Sequence, residues 1–363
     1  MKKIFLMLMV VCCVFVTGCF GKDNNSALKD IRKKYENLKA YQLTGNLEIL
    51  NNDDVYNYDV KVIYQKKDKF YVSLKNLNNN HEQIILKNED GVYVLTPSLN
   101  KSFKFQSDWP YNNSQVYLIQ SILDDILDDE ERNLVSDDNG YIFTTSVNYP
   151  NNRKLVKQIV TFDKKLNLKK VSVVDENNIS QMTMTFATID LSPTVNSDTF
   201  DLNKIMGTTE NGTGNSSNTT ENNTDNSIKD NNQTSTDNKE NNSNQTTSTL
   251  EDVIYPLYIP TGTSLTSQEK INKTDGERVI MTFEGEKPFL LVEETSSVEK
   301  EFSIIPTYGE PYLLIDTVGA LTDSSITWSS NGVDYYLVSD VMSQNELIDI
   351  ARSVSVVPTM NQK

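Results

Sequence analysis

Between Gly207 and Thr249 the chain runs almost entirely through Asn, Thr, Ser, Asp, Glu, Gln and Lys, with Ile228 its single large apolar residue. Such a stretch cannot bury enough surface to offset the entropy of ordering it, and it is expected to be disordered. Whatever folds must therefore fold on either side of it, as two units. The length agrees: 363 residues at roughly 100–200 per domain make about two domains. Treated as a flexible coil of ~5–6 Å × √n, the linker spans roughly 35 Å. Its Asn-x-Ser/Thr triplets, at Asn211, Asn215 and Asn218 among others, read as polar filler. A linker this long and polar also argues against a fixed interface between the units. The 50 acidic against 34 basic residues leave a formal charge of -16. That charge is repelled by nucleic-acid phosphates, so nucleic acid is excluded as a partner.

The N-terminus carries an address. Met1-Lys2-Lys3 is followed by an apolar run from Ile4 to Val16, too short to cross a bilayer, where ~20 residues are needed, and suited to a signal-peptide core. The run closes on Val16-Thr17-Gly18-Cys19, which resembles the lipobox of bacterial lipoproteins. The resemblance implies cleavage between Gly18 and Cys19, a diacylglyceryl thioether on Cys19, and residence on the extracytoplasmic face of the cell membrane. Cys12 and Cys13 leave with the leader and Cys19 is capped. The mature chain then has no free thiol and no disulfide, which removes thiol catalysis and cysteine-based zinc sites. Two acyl chains give stable anchoring where one is marginal.

The expected division is a signal peptide over 1–18, a lipidated spacer over 19–25, a first domain over 26–206, the linker over 207–249, a small α+β domain over 250–358 and a tail over 359–363. The first domain opens with a helix capped by Asn25 or Ser26, with Leu28, Ile31, Tyr35 and Leu38 at helical spacing. Alternating runs follow: Tyr41, Leu43, Gly45, Leu47 and Ile49 on one strand face, Tyr56 to Tyr64 on the next, then Phe70 to Leu74, Ile84 with Leu86, and Val92 with Val94. Turn residues separate them, as at Lys67-Asp68 and Asp90-Gly91. Further strands are expected over 98–105, 141–147, 155–162, 168–174 and 179–189, about ten antiparallel strands in all, which predicts a curved meander or barrel. A helix over Gln115–Leu127 interrupts them. It is apolar enough to need burial on most of its surface, and it is placed to plug or cover the concave face.

The second domain predicts strands at 279–283, 289–295, 312–315, 325–329 and 333–339, the last after an Asn331-Gly332 hairpin turn. Ser343 and Glu346 form a capping box for a final helix with Leu347, Ile350, Ala351 and Val354 buried.

This order of elements resembles the LolA-like lipoprotein-carrier superfamily. The resemblance rests on the first helix, the run of strands, the mid-domain helix Gln115-Val-Tyr-Leu-Ile-Gln-Ser-Ile-Leu-Asp-Asp-Ile and the strands after it. Behind a lipobox it is similar to the Gram-positive sporulation and germination lipoproteins of the GerS-related and YdcC-like group. The stretch Trp328 to Val354 is similar to the small domain of YdcC-like and RseB-type proteins. The resemblance implies a mainly β (α+β) fold: an unclosed antiparallel β-barrel with covering helices, then a smaller β-rich domain with a C-terminal helix. It carries no catalytic residues and no cofactor, and implies a non-enzymatic, membrane-anchored docking or regulatory factor in sporulation, germination or the cell envelope. The partner it implies is an envelope protein such as a cell-wall hydrolase, and the place is the cell or spore envelope. The alternative is a carrier or sensor of lipid or lipoprotein acyl chains, with Leu43, Leu47, Val60, Val62, Val72, Leu74, Ile119 and Leu123 lining an apolar cavity. The same residues equally describe a filled core.

Other candidates read as structural. His81 has no second His or Cys to share a metal and no nucleophile to activate, so it is a surface turn residue. The acids Asp124, Asp125, Asp128, Asp129, Glu130 and Glu131 lack the spacing of a calcium loop and read as a solvated helix end, the alternative being a surface for a basic partner, since acids at a helix C-terminus oppose its dipole. No metal is expected. Lys101, Phe103, Lys104, Phe105 and Trp109 read as a barrel strand with a core tryptophan, the alternative being a partner- or membrane-facing edge. Nothing in the sequence sets two carboxylates in a cleft as a hydrolase would need.

Overall fold

The computed structural model describes residues 24–51, 54–150, 152, 154–209, 250 and 252–354. The leader, Cys19, residues 210–249 of the linker and everything after Val354 lie outside the described residues.

The first unit opens with α1 (Asn24–Tyr35), so Asn25 and Ser26 fall within its first turn rather than at its cap. Ala27, Ile31 and Tyr35 are buried, and Leu38, just beyond the helix, still packs on the same core. A meander follows: β1 (Ala40–Asn51), β2 (Asp54–Gln65), β3 (Lys69–Asn76), β4 (Glu82–Asn88), β5 (Gly91–Thr96) and β6 (Lys101–Phe105). Then come α2 (Ile119–Asp128), β7 (Asn133–Ser136), β8 (Gly140–Ser146), β9 (Lys157–Asp163), β10 (Leu168–Val174) and β11 (Ser180–Asp190). The last element, α3 (Leu202–Thr209), extends past the boundary expected at Met206.

The α2 helix starts later than the apolar stripe suggested. Leu118 N bonds Gln115 O at 3.2 Å and Gln115 N donates to Ser121 Oγ at 2.7 Å. The Ser121 hydroxyl thus takes the donor of a preceding turn, and residues 115–118 form that turn instead of helix.

The second unit contains β12 (Thr263–Lys273), β13 (Gly276–Gly285), β14 (Phe289–Thr295), β15 (Ser303–Thr307), β16 (Glu310–Leu313), β17 (Val318–Leu321), β18 (Ser325–Ser330), β19 (Val333–Val338) and α4 (Gln344–Ser353). The Ser343–Glu346 capping box is present. Asn331 and Gly332 take φ of 49° and 79° at the hairpin turn, as a type I′ turn requires.

Twelve strands make one sheet in the order β15-β6-β5-β4-β3-β2-β1-β11-β10-β9-β8-β7, and seven make another in the order β12-β13-β14-β19-β18-β17-β16. Every pairing is antiparallel except β15 beside β6. The large sheet is unclosed, with β15 and β7 at its free edges. Its inner face, including Leu43, Val60, Val72, Phe143, Val160 and Val171, forms one cluster with α1 and α2. Part of the outer face is covered as well: Ile63, Ile84, Leu86 and Leu95 pack against Phe200, Met206 and, from the second unit, Phe302. Burial on both faces explains why β4 and β5 read as nearly unbroken apolar runs. The small sheet packs Val279, Met281, Leu291, Ile326 and Leu337 against Leu347 and Ile350 of α4.

Candidate functional site: the seam and cleft between the two units

The two units share an interface, contrary to what the polar linker suggested. The reason lies in the β16–β17 hairpin. Ile315, Val318 and Ala320 belong to the buried core cluster of the large sheet, with Leu313 packed against it. Tyr58 Oη donates to Ile315 O at 2.7 Å. The Gln83 side chain does the work of a strand: its Oε1 accepts from Val318 N at 2.6 Å and from Thr317 Oγ1 at 3.0 Å, and its Nε2 donates to Val318 O at 3.3 Å. Buried backbone groups require such partners, and here a side chain of the other unit supplies them.

The second connection is β15, which lengthens the large sheet. Ser303 N donates to Asn100 O at 3.1 Å, and Asn100 Nδ2 donates to Glu299 O at 3.0 Å. Nearby, Lys101, only 5% exposed, places Nζ 3.5 Å from Asp334 Oδ2. Asp334 Oδ1 accepts from the hydroxyls of Ser296 and Ser329, both at 2.5 Å. A buried ion pair is tolerable only when its remaining lone pairs are satisfied in this way.

Where the contact ends, β6, β15 and β17–β19 enclose a cleft of about 410 Å³. Phe103, Phe105, Trp328 and Tyr336 supply aromatic walls, Pro306 a rigid edge, and Lys101 with Asp334 the charged groups. Tyr308 at its rim is 79% exposed. An apolar groove with a few fixed polar groups suits an extended chain or a side chain of a partner.

The expected site residues fall elsewhere. Leu43, Leu47, Val60, Val62, Val72, Leu74, Ile119 and Leu123 all lie in the large-sheet cluster at 0–4% exposure, and none borders the cleft. Gly18 and Cys19 lie outside the described residues. Trp109 is buried and meets Phe70 edge-on at 5.8 Å.

Two readings are corrected. His81 is a half-buried residue facing the second unit, not a surface turn residue. Burial pushes its imidazole below the ordinary value, partly opposed by Asp316, and its buried Nε2 has no hydrogen-bond partner. Burial in turn pushes the Asp316 carboxyl up, against the hydrogen bond from Ser330. The acids of α2 are not simply a solvated end either. Asp125 accepts from Ser114 Oγ and Gln158 Nε2, both at 2.9 Å, tying α2 to β9. Its partial burial pushes the carboxyl up to about 7. Asp129 accepts from Ser146 N at 2.7 Å and from Glu131 N at 2.8 Å, which holds it below the usual range. Among the described residues no group of three or more His, Cys, Asp or Glu is placed to hold a metal ion, and no helix is long and apolar enough to cross a membrane.

Sequence reasoning missed Gln83, Thr317 and Asp334. The only local sign was a polar residue opening the apolar run Gln83-Ile84-Ile85-Leu86.

An unclosed, almost wholly antiparallel sheet covered by helices on its inner face, joined to a smaller β-rich unit ending in a helix, makes this a mainly β (α+β) protein of two units, the class the order of elements led one to expect. No family model matches the sequence. The chain belongs to the family of the sporulation protein YdcC of Bacillus subtilis (strain 168), with 31% identity over 356 residues, covering 97% of each sequence. Among solved structures, MucB aligns over 92% of this chain and 97% of its own at 10% identity and a TM-score of 0.33. A structure of the CwlD amidase from Clostridioides difficile with the GerS lipoprotein aligns over 47% of this chain and 97% of the matched chain, at 16% identity and a TM-score of 0.30.

Proposed function

We propose that this chain is a non-enzymatic lipoprotein of the cell envelope that acts in sporulation by docking a protein partner in the cleft between its two units. The observation that carries the reading is its relation to YdcC along nearly the whole length, both units and linker included. The envelope location rests on the leader and on Val16-Thr17-Gly18-Cys19. The partner is an envelope protein, and a cell-wall hydrolase is the class to which the sequence resemblance points. The tight burial of Leu43, Val62, Val72 and Leu123, together with the occupation of the inner face by Ile315 and Val318, favours docking over carriage of an acyl chain.

The test is complementation of a Bacillus subtilis strain lacking YdcC. The intact chain is expected to restore sporulation and to bring down an envelope protein from sporulating cells. Tyr308→Asp with Tyr336→Asp is expected to lose both while still folding. Cys19→Ser is expected to release the protein from the membrane fraction. Full complementation by the double cleft variant would sink the docking site, and an unaltered membrane fraction for Cys19→Ser would sink the anchor.

A further inference from the structure

One segment, anchored to the small-sheet core through Val253 and Ile254, turns most of its apolar side chains away from that core and lines no part of the cleft. From Val253 to Gln268 no acidic or basic residue occurs, in a chain that is 23% charged. Within it the packing is inverted relative to apolar content. Pro256 and Pro260 are buried, while Tyr255 (47% exposed), Leu257 (78%), Tyr258 (45%) and Ile259 (37%) face outward. The loop is held in this posture. Leu257 N donates to Ser353 O at 3.2 Å, Tyr255 Oη donates to Gln268 Oε1 at 2.5 Å, and Ile254 N is bound by the Glu293 carboxylate at 3.1 Å. A leucine pinned outward between two tyrosines is costly in water and needs a partner surface.

We propose that this loop is a bilayer contact, with Leu257 entering the acyl boundary and Tyr255 and Tyr258 lying at headgroup level. Four side chains fall well short of the ~800 Å² per partner that a stable protein interface requires. They are sufficient for shallow insertion of ~5–10 Å. Tyrosines with an apolar ring and a polar tip are the side chains that settle at that depth. The charge around the loop selects the lipid. Glu286 lies against Gly262 and Glu284 pairs with Ser264, both exposed, while Lys287 is engaged with Glu346 at 3.1 Å. The surface bound is therefore zwitterionic, and anionic headgroups oppose it. The contact adds to the lipid expected on Cys19 and does not depend on it.

The test uses the chain from Phe20 onward, tethered by an N-terminal histidine tag to phosphatidylcholine vesicles doped with a nickel-chelating lipid. Its outcome is then independent of lipidation and of the docking reading. A polarity-sensitive fluorophore is placed on Leu257→Cys, the only thiol in that chain, with Val298→Cys, whose native side chain is 63% exposed, as the control. The expected result is a blue shift and quenching by lipid-borne quenchers at position 257 but not at 298, weakened as phosphatidylglycerol replaces phosphatidylcholine. With the label at Leu265→Cys, the combination Leu257→Asp and Tyr258→Asp is expected to abolish any shift. An unshifted label at 257 on vesicles would overturn the proposal. So would a label already shifted in solution, which means that the C-terminal residues or a second copy cover the loop. Stronger binding to anionic lipid would overturn it too.

Discussion

Gln83 and Val318, from different units and different sheets, pair as if they were neighbours in one ladder: the amide side chain takes the backbone N–H at 2.6 Å and returns a hydrogen bond to the carbonyl at 3.3 Å. Both residues are buried, at 4% and 5% exposure. The pairing matters because it fixes where the β16–β17 turn lands on the inner face.

Gln83→Leu therefore leaves the Val318 N–H short of an acceptor in the seam, while the Thr317 hydroxyl keeps Ser329 O at 2.8 Å. Stranding a buried donor costs about 1–3 kcal/mol. The expected outcome is a lower urea midpoint and faster hydrogen exchange at the Val318 amide, with exchange in the β10–β11 strands far from the seam raised only by the global loss of stability. Unchanged protection at Val318 would show that the amide pair holds nothing.

Gly45 sits at a register shift between β1 and β11. A Cβ there would lie 2.2 Å from Thr185 O and 2.6 Å from Met184 Cε. The methionine can swing aside, but the carbonyl belongs to a paired strand and cannot. Gly45→Ala is expected to destabilise by about 1–3 kcal/mol, as overpacking does, read as a fall in the thermal midpoint.

Asp125 gives a pH dependence of definite sign. Its carboxyl titrates near 7 in the folded protein against 3.8 for the free group, chiefly because of burial. Between those values the folded state holds a proton that the unfolded state has lost, so this group's contribution to stability falls as pH rises through that window, and levels off above about 7. Asp125→Asn removes the titration while keeping an oxygen for Ser114. Urea midpoints at the two ends of the window should differ less in the variant than in the parent, by up to about 1.4 kcal/mol for each unit by which the carboxyl is raised. An identical slope would show that Asp125 ionises freely.

Ser343 begins α4 with a reciprocal cap: its backbone N donates to Glu346 Oε2 at 2.9 Å while its hydroxyl accepts from Glu346 N. Ser343→Ala is expected to cost about 1 kcal/mol. Because α4 covers the small sheet, the loss should appear in the global melt and not as local fraying alone. Helix-end exchange without any change in melting would contradict that.

Much of this architecture was legible in the sequence, for a physical reason. Strands with one face on a core announce themselves by alternation, so Leu43, Leu47, Val60, Val62, Val72 and Leu74 could be placed on one face before any coordinates. Asn331-Gly332 and the Ser343–Glu346 pair are local chemistry that needs no tertiary context. What could not be read depends on context. β12 is an edge strand with both faces toward solvent, so its Thr, Ser, Gln and Lys carry no period. β15 and β17 are short pieces whose strand character comes only from the neighbours they find. The roles of Gln83 and His81 depend on residues more than two hundred positions away, and no spacing rule reaches that far. The pull of Asp125 toward β9 was hidden because a run of acids looks the same whether one of them turns inward or none does.

The β16–β17 turn and β17 itself have a mechanical consequence. Ile315, Val318 and Ala320 count among the side chains buried by the large sheet, so the covalent linker is not what keeps the halves together. Severing the chain between Gly207 and Thr249 should yield a nicked species that still migrates as one particle and unfolds in one calorimetric peak. The linker would then act mainly while the polypeptide first assembles, by keeping the late-made half close to the surface it completes.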